Sequence, residues 1–367
     1  MKFTCEKNAL LQEISIAQEI ISSKNALSIL SNVLLIAEES TLTIKATDLK
    51  VSFETKVPIS TEVSGSTTVF CDKFLGILRS LPEGEVEFEQ DDQKLVIRPL
   101  FKKIDFQLKS IASDKFPELN EIDESKYFSI PQKDLNDMIG ETIFAVSDDE
   151  TRYFMNGVFF EYTEGKINMV ATDGRRLSFI SKEIPSLLDP FKPVIIPPKV
   201  LNLVRRLSSG EGAISVAVSD KNIFFKFDNQ KLSSNLIEGQ FPNYRRVIPE
   251  RQEYQVSVGR PELTEALKRV SLLVEQKSRR VFLEISEGTL TLKSEESEIG
   301  MAKEEIPCEY NGPTTLIALN CMYILDPLKV MEDEKVILRF TEPNRAISLY
   351  PVPEKDYFHI IMPMQLD

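Results

Sequence analysis

The chain has 367 residues, of which 42% are hydrophobic and 28% are charged, and its formal net charge is −13 at pH 7. This length exceeds what one ordinary hydrophobic core holds, so two or three domains are expected. The excess of acidic residues argues against a protein that holds nucleic acid by its overall charge, although local basic faces remain possible.

Two further classes are excluded by simple patterns. The sequence has no run of about 18 apolar residues, so no membrane-spanning helix is predicted, and its start, MKFTCEKNAL, lacks the apolar stretch of a secretory signal. The cysteines are too scattered for a disulfide framework or a zinc site; they are Cys5, Cys71, Cys308 and Cys321. We therefore expect a cytoplasmic protein with reduced cysteines and no metal or cofactor.

A segment of about 120 residues recurs three times along the chain. The strand-like stretches LTIKATD (42–48), INMVATD (167–173) and LTLKSEE (290–296) are spaced by 125 and 123 residues. A strand-like opening and a helical pattern precede each stretch. The apolar positions that define these three helices are Leu10, Ile14, Ala17 and Ile21; Leu135, Met138, Ile139, Thr142 and Val146; and Leu263, Ala266, Leu267 and Val270.

A second, shorter helix is predicted in each segment, with apolar residues at i, i+3, i+4 and i+7. Alternating runs such as 104–110 and 223–227 predict short strands between the helices. The polar stretches 116–125 and 247–254 separate the segments. We predict an α+β fold of three similar domains, 1–118, 126–247 and 253–367, each with two helices and antiparallel sheets. Such an array either stays open or closes into a ring. The second-helix positions are Phe74, Ile77, Leu78 and Leu81; Val200, Leu203, Val204 and Leu207; and Cys321, Ile324, Leu325 and Leu328.

Candidates for catalysis are few. The only histidine, His359, has no Ser, Cys or Asp motif beside it, and the chain has no GxSxG elbow, HExxH helix or Walker loop. The densest polar cluster is ATDGRRL (171–177), in which Asp173 and Gly174 predict a turn between two strands. Three interpretations stay open: an acid or base at Asp173 with an arginine clamp, a structural hairpin with exposed arginines, or the rim of a binding pocket.

Five motifs, in order along the whole chain, resemble one family. They are the opening MKF, MNGV (155–158), ATDGRRL (171–177), EGQFPNYRRVIP (238–249) and the terminal MPMQL (362–366). Together they resemble the bacterial DNA polymerase III beta subunit, the sliding clamp. The resemblance implies a non-catalytic head-to-tail homodimer in which two chains of three clamp domains close a ring. Helices would line the hole, through which duplex DNA passes without regard to its sequence.

The resemblance also implies a pocket for short peptides that carry a glutamine and apolar anchors. The partners would be the DNA polymerase III alpha subunit, the clamp loader, other polymerases and repair proteins. Arg175 stands where the family commonly has histidine, and Gln365 where it commonly has arginine, so positive charge is relocated at the rim. Pro363 is expected to end a strand so that the last residues turn toward the second domain. The matching positions are Met155, Thr172, Gly174, Arg175, Leu177, Pro242, Arg246, Val247, Ile360, Ile361, Met362, Pro363, Met364, Gln365 and Leu366.

Contacts to DNA are implied at two places. Lys24, Arg152 and Tyr153 match positions where the family touches DNA at the ring face, and Asp149 replaces an amide-bearing residue there. The inner helices are expected to be unevenly basic, because the helix around DLNDMIGET carries acids instead. Each of these cations could equally be a solvated surface charge. The lining candidates are Lys199, Arg205, Lys277 and Arg279, with Arg206, Lys268, Arg269 and Arg280 nearby.

Charge at the two ends of the chain suits a head-to-tail contact. RPLFKKIDF (98–106) is basic, whereas SEESEIGMAKEE (294–305) is acidic. A different class, a repeat-built scaffold that binds proteins without encircling DNA, remains the alternative. The predicted interface residues are Lys73, Lys103, Phe106, Leu108, Leu272, Leu273, Glu298 and Glu304.

Overall fold

The structure is a computed structural model that describes residues 1–21, 29–184 and 191–366. Strands pair antiparallel throughout these ranges. In chain order the elements are β1 (Lys2–Glu6), α1 (Lys7–Ile20), β2 (Asn32–Glu38), β3 (Thr41–Thr47), β4 (Val51–Pro58), β5 (Ser60–Val63), β6 (Gly65–Phe70), α2 (Cys71–Ser80), β7 (Glu85–Asp91), β8 (Lys94–Pro99), β9 (Phe106–Ile111), β10 (Phe128–Pro131), α3 (Gln132–Gly140), β11 (Val158–Thr163), β12 (Lys166–Thr172), β13 (Arg176–Glu183), β14 (Val194–Ile196), α4 (Pro198–Leu207), β15 (Ala213–Val218), β16 (Asn222–Phe227), β17 (Gln230–Asn235), β18 (Tyr254–Gly259), α5 (Arg260–Val270), β19 (Arg280–Ser286), β20 (Thr289–Ser294), β21 (Lys303–Pro307), β22 (Thr315–Asn320), α6 (Cys321–Val330), β23 (Lys335–Phe340), β24 (Ile347–Val352) and β25 (Tyr357–Ile361).

The contacts divide the chain into two compact units. The first comprises Met1–Gln132 and Arg206–Leu236, and the second comprises Lys133–Arg205 and Ile237–Asp367. In the first unit a single sheet has the order β10-β15-β16-β17-β4-β3-β2-β6-β9-β8-β7-β1-β5. The second unit has an eight-stranded sheet, β14-β11-β12-β13-β25-β24-β23-β18, and a four-stranded sheet, β21-β20-β19-β22.

The α+β class is confirmed, with two helices in each repeated segment: α1 and α2, α3 and α4, α5 and α6. Strands of consecutive segments pair with each other. β4 of the first segment pairs with β17 of the second, and β13 of the second pairs with β25 of the third. The sheets therefore do not separate the chain at the two linkers, and the three domain ranges stay a prediction from the repeated segments.

Helix ends follow the local chemistry of the sequence. The Glu6 carboxylate caps α1 by accepting from the backbone N–H groups of Asn8 and Ala9, and Pro261 lies in the first turn of α5, where its missing N–H costs no helical hydrogen bond. The helix α3 is shorter than its apolar pattern indicates. It ends at Gly140, and the Thr142 hydroxyl donates back to the Met138 carbonyl at 2.7 Å.

The Ala-Thr-Asp motif of the first two segments folds into the same turn. The Asp48 carboxylate accepts from the N–H groups of Lys50 at 2.9 Å and Val51 at 2.7 Å. Likewise, the Asp173 carboxylate accepts from Arg175 at 2.9 Å and Arg176 at 3.0 Å. The second position of each turn has a positive φ, 71° at Leu49 and 86° at Gly174, so an aspartate side chain organises both hairpins.

The glycine of the MNGV motif lets two backbone segments approach closely. A Cβ added to Gly157 would lie 2.7 Å from the Ile196 carbonyl oxygen and 2.7 Å from Ile237 Cδ1. We expect Gly157→Ala to destabilise the fold by about 1–3 kcal/mol through overpacking, measured as a lower midpoint of thermal unfolding.

Gly76→Ala is the matched control. Gly76 lies inside α2, and an added Cβ would meet nothing within 4 Å. Alanine there should stabilise the helix by about 0.5–1 kcal/mol, because alanine loses less backbone entropy than glycine. Equal unfolding midpoints for the two variants would contradict this account of Gly157.

Candidate functional site

The site is built on the hairpin that joins β12 to β13. The Thr172 hydroxyl donates to the Arg176 carbonyl at 2.6 Å and accepts from the Gly174 N–H at 3.1 Å. Asp173 uses one carboxylate oxygen for the turn and the other for the Arg176 guanidinium at 3.1 Å. Its carboxylate is therefore part of the hairpin's own structure, which favours the structural interpretation of Asp173.

One of the three interpretations of this hairpin has both arginines exposed, and for Arg176 the structure differs. Its side chain is only 13% exposed, and its guanidinium donates to Asp326 of α6 and to the Phe144 carbonyl, each at 2.7 Å. The same group lies 4.7 Å from the centre of the Tyr323 ring. Arg176 thus ties the hairpin to α6, whereas Arg175 stays exposed.

The C-terminal strand β25 lies against this hairpin. Leu177 pairs with Ile360, Arg176 pairs with Ile361, and the Met362 N–H donates to the Arg175 carbonyl at 2.9 Å. Pro363 then interrupts the ladder, as predicted, because it has no N–H to donate. The chain does not continue along the hairpin; the Met364 N–H donates to Ala318 of β22 at 2.8 Å.

That path corrects the expected route of the tail. The residues after Pro363 were expected to turn toward the second segment, but their hydrogen bonds go to the third. Arg280 also donates to the Gln365 carbonyl at 3.4 Å. With its backbone held in this way, the tail exposes apolar side chains: Met362 is 42% exposed and Leu366 is 43% exposed.

The segment 241–247 forms another side of the same region. Phe241 and Tyr244 pack with Leu177 and Ile360 in one buried apolar cluster, and the Phe241 ring stacks on Phe159 at 4.7 Å. The Tyr244 hydroxyl donates to the buried Glu161 carboxylate at 2.6 Å, which also accepts from Arg245 at 2.5 Å. Burial, together with Glu161, raises the pKa of Tyr244. Arg246 and Val247 remain exposed beside this anchor.

These elements bring most of the predicted pocket residues into one region of the second unit. Its floor is apolar and buried, through Leu177 and Ile360, and Phe154, the neighbour of the buried Met155, packs on the same cluster. Exposed apolar and positively charged side chains surround it, namely Val247, Met362, Leu366, Arg175 and Arg246. We call this region the tail groove.

Of the predicted ring-face residues, Arg152 is held close to the hairpin turn. An added Cβ at Gly174 would lie 2.8 Å from Arg152 Nη1, so the Arg152 guanidinium lies against the turn. Arg152 also pairs with Asp149 at 2.9 Å, and hydrogen bonds from Thr151 and Arg152 lower the pKa of Asp149. Asp149 therefore competes for Arg152, as its departure from the family pattern suggested. Tyr153 is exposed, and Lys24 lies outside the described residues.

The four predicted lining cations are all exposed. Lys199 and Arg205 are exposed on α4, and Lys277 and Arg279 are exposed after α5. The nearby candidates pair with carboxylates within the chain: Arg206 with Glu19, Lys268 with Glu265, Arg269 with Glu304, and Arg280 with Glu295.

The predicted interface segments carry more exposed apolar surface than their charges suggested. Phe101 is 83% exposed, Leu272 is 80% exposed and Ile299 is 86% exposed, and Leu100 and Met301 are also exposed. Of these five residues only Leu272 was predicted. The other four lie between the charged residues of the basic and acidic stretches, where the prediction rested on charge.

Other predicted interface residues are less exposed or already engaged. Phe106, Leu108 and Leu273 are half-buried, whereas Lys103 and Glu298 are exposed. Glu304 accepts from Arg269, and Lys73 lies 3.3 Å from Asp72. Fewer charged side chains are therefore available for complementarity between chains than the sequence predicts.

The buried histidine, the metal-ligating residue types and the apolar content of the helices bear on functions other than DNA binding. His359 is fully buried, its Nδ1 lies 2.9 Å from the Ser178 hydroxyl, and burial lowers its pKa. Within the described ranges, no cluster of three or more His, Cys, Asp or Glu residues could hold a metal ion. No helix in the same ranges is long and apolar enough to cross a membrane.

Comparison with known proteins places the chain in a family. Models of the DNA polymerase III beta subunit match over their N-terminal domain at residues 1–120, central domain at 129–243 and C-terminal domain at 245–365. The beta sliding clamp of Treponema pallidum (strain Nichols) is 49% identical over 371 residues, which cover 100% of both chains. The chain belongs to the DNA polymerase III beta subunit family, the beta sliding clamps.

Solved structures agree with this placement. The crystal structure of the DNA polymerase III beta subunit from Pseudomonas aeruginosa matches with a TM-score of 0.94 at 31% identity. The structure of the sliding clamp from the same organism bound to griselimycin matches with a TM-score of 0.94 at 32% identity. Both matches cover 100% of each chain. The predicted function is confirmed: the chain is a non-catalytic DNA sliding clamp, a processivity factor in DNA replication.

Arg176 should matter for stability far more than its neighbour. Arg176→Ala leaves Asp173, Asp326 and the Phe144 carbonyl without a common donor, so we expect a loss of about 3 kcal/mol, measured by thermal and urea unfolding. Arg175→Ala, the matched control, should change stability by less than about 0.5 kcal/mol because its side chain is exposed. Similar losses in both variants would contradict the role assigned to Arg176.

Proposed function

We propose that the tail groove binds short peptides of partner proteins. The partners we propose are the DNA polymerase III alpha subunit, the clamp loader, and other polymerases and repair proteins. The observation that carries the proposal is the path of the C-terminus: Met362 is hydrogen-bonded to the β12–β13 turn and Met364 to β22, yet Met362 and Leu366 present apolar side chains to solvent. Groups held in place lose little entropy on binding, which favours affinity.

The chemistry of the tail groove suits a peptide with apolar anchors and acceptor groups. Methionine adapts its shape to different side chains, so one groove can accept related sequences. Arg175 and Arg246 add positive charge at its edge. We propose that they favour peptides with acidic or amide side chains next to the apolar anchors, and that Arg175 and Gln365 tune this preference.

We expect deletion of residues 363–367 to abolish binding of a labelled polymerase peptide that carries a glutamine and apolar anchors, measured by fluorescence anisotropy. The double variant Met362→Ala, Leu366→Ala should weaken that binding at least tenfold, because it removes apolar area without removing backbone. Val63→Ala, at an exposed valine of β5, is the control and should bind like wild type. Undiminished binding by the deletion variant would show that the tail is not part of the site.

We further propose that two chains associate head to tail. The β9 strand pairs with β8 along Phe106–Lys109 but with β6 only at Ser110 and Ile111, so the other side of Phe106–Lys109 has no partner strand among the described residues. The β21 strand is the edge of its sheet. One free edge carries Lys109 and follows Lys102 and Lys103, and the other carries Glu304 and Glu305. Pairing the two edges between chains would also cover Phe101, Leu272 and Ile299.

Substituting Leu272 should separate the chains. Leu272→Glu places a carboxylate where we propose apolar burial, so native mass spectrometry at micromolar concentration should show monomer in place of dimer. Val63→Glu, an equally drastic change at another exposed apolar site, should remain dimeric. A dimeric Leu272→Glu protein would remove Leu272 from the proposed interface.

We propose that the closed dimer encircles duplex DNA and contacts its phosphates weakly. A ring retains DNA by topology, and weak, sequence-independent contacts permit sliding. Lys199 and Arg205 on α4, and Lys277 and Arg279 after α5, are the proposed lining contacts. Arg152 and Tyr153 are proposed contacts at the ring face, with Asp149 limiting what Arg152 contributes.

The lining proposal predicts a charge effect that depends on position. Lys199→Glu with Arg205→Glu should shorten retention on nicked circular DNA about tenfold at moderate salt, because repulsion replaces attraction. Arg251→Glu with Arg345→Glu makes the same charge change at exposed residues outside the helices and should leave retention unchanged. Equal retention times for both double variants would reject Lys199 and Arg205 as lining contacts.

A further inference from the structure

The backbone pattern that supports the tail groove occurs a second time, in the first unit. There, Thr47 and Asp48 form the same turn as Thr172 and Asp173. The N–H of Asn235, the last residue of β17, donates to the Lys50 carbonyl at 2.8 Å. This bond matches the one from Met362 to the Arg175 carbonyl, at 2.9 Å, in the tail groove.

The segments that follow also correspond. A Phe-Pro pair begins each one, at Phe116 and at Phe241, and both phenylalanines are buried. At the same spacing, Leu119 corresponds to Tyr244, Glu121 to Arg246 and Ile122 to Val247. The first unit therefore has the turn, the strand pair and the flanking segment that build a groove.

The side chains at the equivalent positions of the first unit are different. In the tail groove, Leu177 pairs with Ile360 and Phe179 pairs with Phe358, and all four pack in the apolar cluster. At the equivalent register of β4 and β17, Ser52 pairs with Ser233 and Glu54 pairs with Lys231. Small and polar residues thus replace four large apolar ones.

A cavity of about 220 Å³ lies at this position, lined by Ser52 and Ser233 on the strands and by Leu119, Ile122, Tyr127 and Phe224 around them. That volume suits one or two side chains better than a whole small-molecule ligand. Because its lining combines serine hydroxyls and charged groups with the apolar side chains of Leu119, Ile122 and Phe224, the cavity can take an aliphatic side chain next to a polar group. We call this cavity the serine groove.

The serine groove differs from the tail groove in the charge of one exposed residue, Glu121, at its edge. Its lining includes three carboxylates, Glu54, Glu121 and Glu124, against one ammonium, Lys231. Glu124 pairs with Lys226 at 2.8 Å and lies 3.8 Å from Lys231, and Glu54 pairs with Lys45 at 3.0 Å, so lysines already neutralise these two carboxylates. Glu121 is exposed, where the tail groove has Arg246. This charge disfavours phosphate and acidic peptides and favours a cationic ligand.

We propose that the serine groove is a second peptide-binding site, for a segment in which an arginine or lysine adjoins an aliphatic residue. The aliphatic side chain enters between Leu119 and Phe224, and the cation meets Glu121. The peptide character of the ligand rests on the function proposed for the tail groove, whereas the charge preference comes from the residues of the serine groove alone.

The test uses the full-length protein and two fluorescein-labelled ten-residue probes. One probe alternates leucine with arginine, and the other alternates leucine with glutamate. With the tail groove occupied by excess unlabelled polymerase peptide, wild type should bind the arginine probe at least tenfold more tightly than the glutamate probe. Glu121→Arg should weaken the arginine probe about tenfold, whereas Glu287→Arg, the same charge change at an exposed residue of the β19–β20 turn, should change it less than twofold.

A second variant tests the cavity without changing charge. Ser52→Leu with Ser233→Leu fills the serine groove with apolar side chains, as Leu177 and Ile360 do at the equivalent positions of the tail groove. This double variant should reduce arginine-probe binding to the level of the glutamate probe. If the filled protein does not fold, the Glu121→Arg comparison still decides the question. Arginine-probe binding that survives Glu121→Arg, or that Glu287→Arg weakens equally, would overturn the proposal.

Deletion of residues 363–367 separates the two sites. The serine-groove proposal predicts that this deletion leaves arginine-probe binding unchanged while it abolishes binding of the polymerase peptide. Loss of arginine-probe binding on deletion would assign that probe to the tail groove and overturn the second site. A polymerase peptide unaffected by the deletion would overturn the tail groove's proposed role alone.

Discussion

The pairing of β25 with β13 is the constraint on which the candidate site depends. It joins a hairpin near the middle of the chain to the last residues, and it aligns Leu177 with Ile360 over a shared apolar cluster. Arg176 fixes the same hairpin from the other side by binding Asp326, which is 150 residues away in sequence. A tail tied at Met362 and Met364 can present apolar side chains to solvent without fraying.

Much of the fold could be predicted because its signals are local. Apolar spacing gave five of the six helices with few errors, and α3 ended early only because the Thr142 hydroxyl and Gly140 outweigh the apolar pattern beyond them. The repeated Ala-Thr-Asp motif predicted a turn, and an aspartate-centred turn is present at both Asp48 and Asp173.

Contacts between residues far apart in the sequence could not be predicted from local patterns. Nothing near Arg176 in the sequence indicates a partner in α6, so an adjacent pair of arginines looked equally exposed. Ala318 carries no polar side chain that would identify it as the partner of Met364. Exposed apolar residues such as Phe101 and Ile299 also resemble ordinary core residues until their burial is known.

The charge distribution fits a protein that holds DNA by enclosure. Several basic side chains near the inner helices already pair with carboxylates, as Arg269 does with Glu304. Such pairing weakens the contact that these cations can make with phosphates, which suits sliding more than tight binding. The most direct test compares release of the wild-type protein, loaded by its clamp loader, from nicked circular DNA before and after linearisation. Enclosure predicts stable retention on the circle and rapid loss from the free ends of the linear form; equal retention on both forms would contradict it.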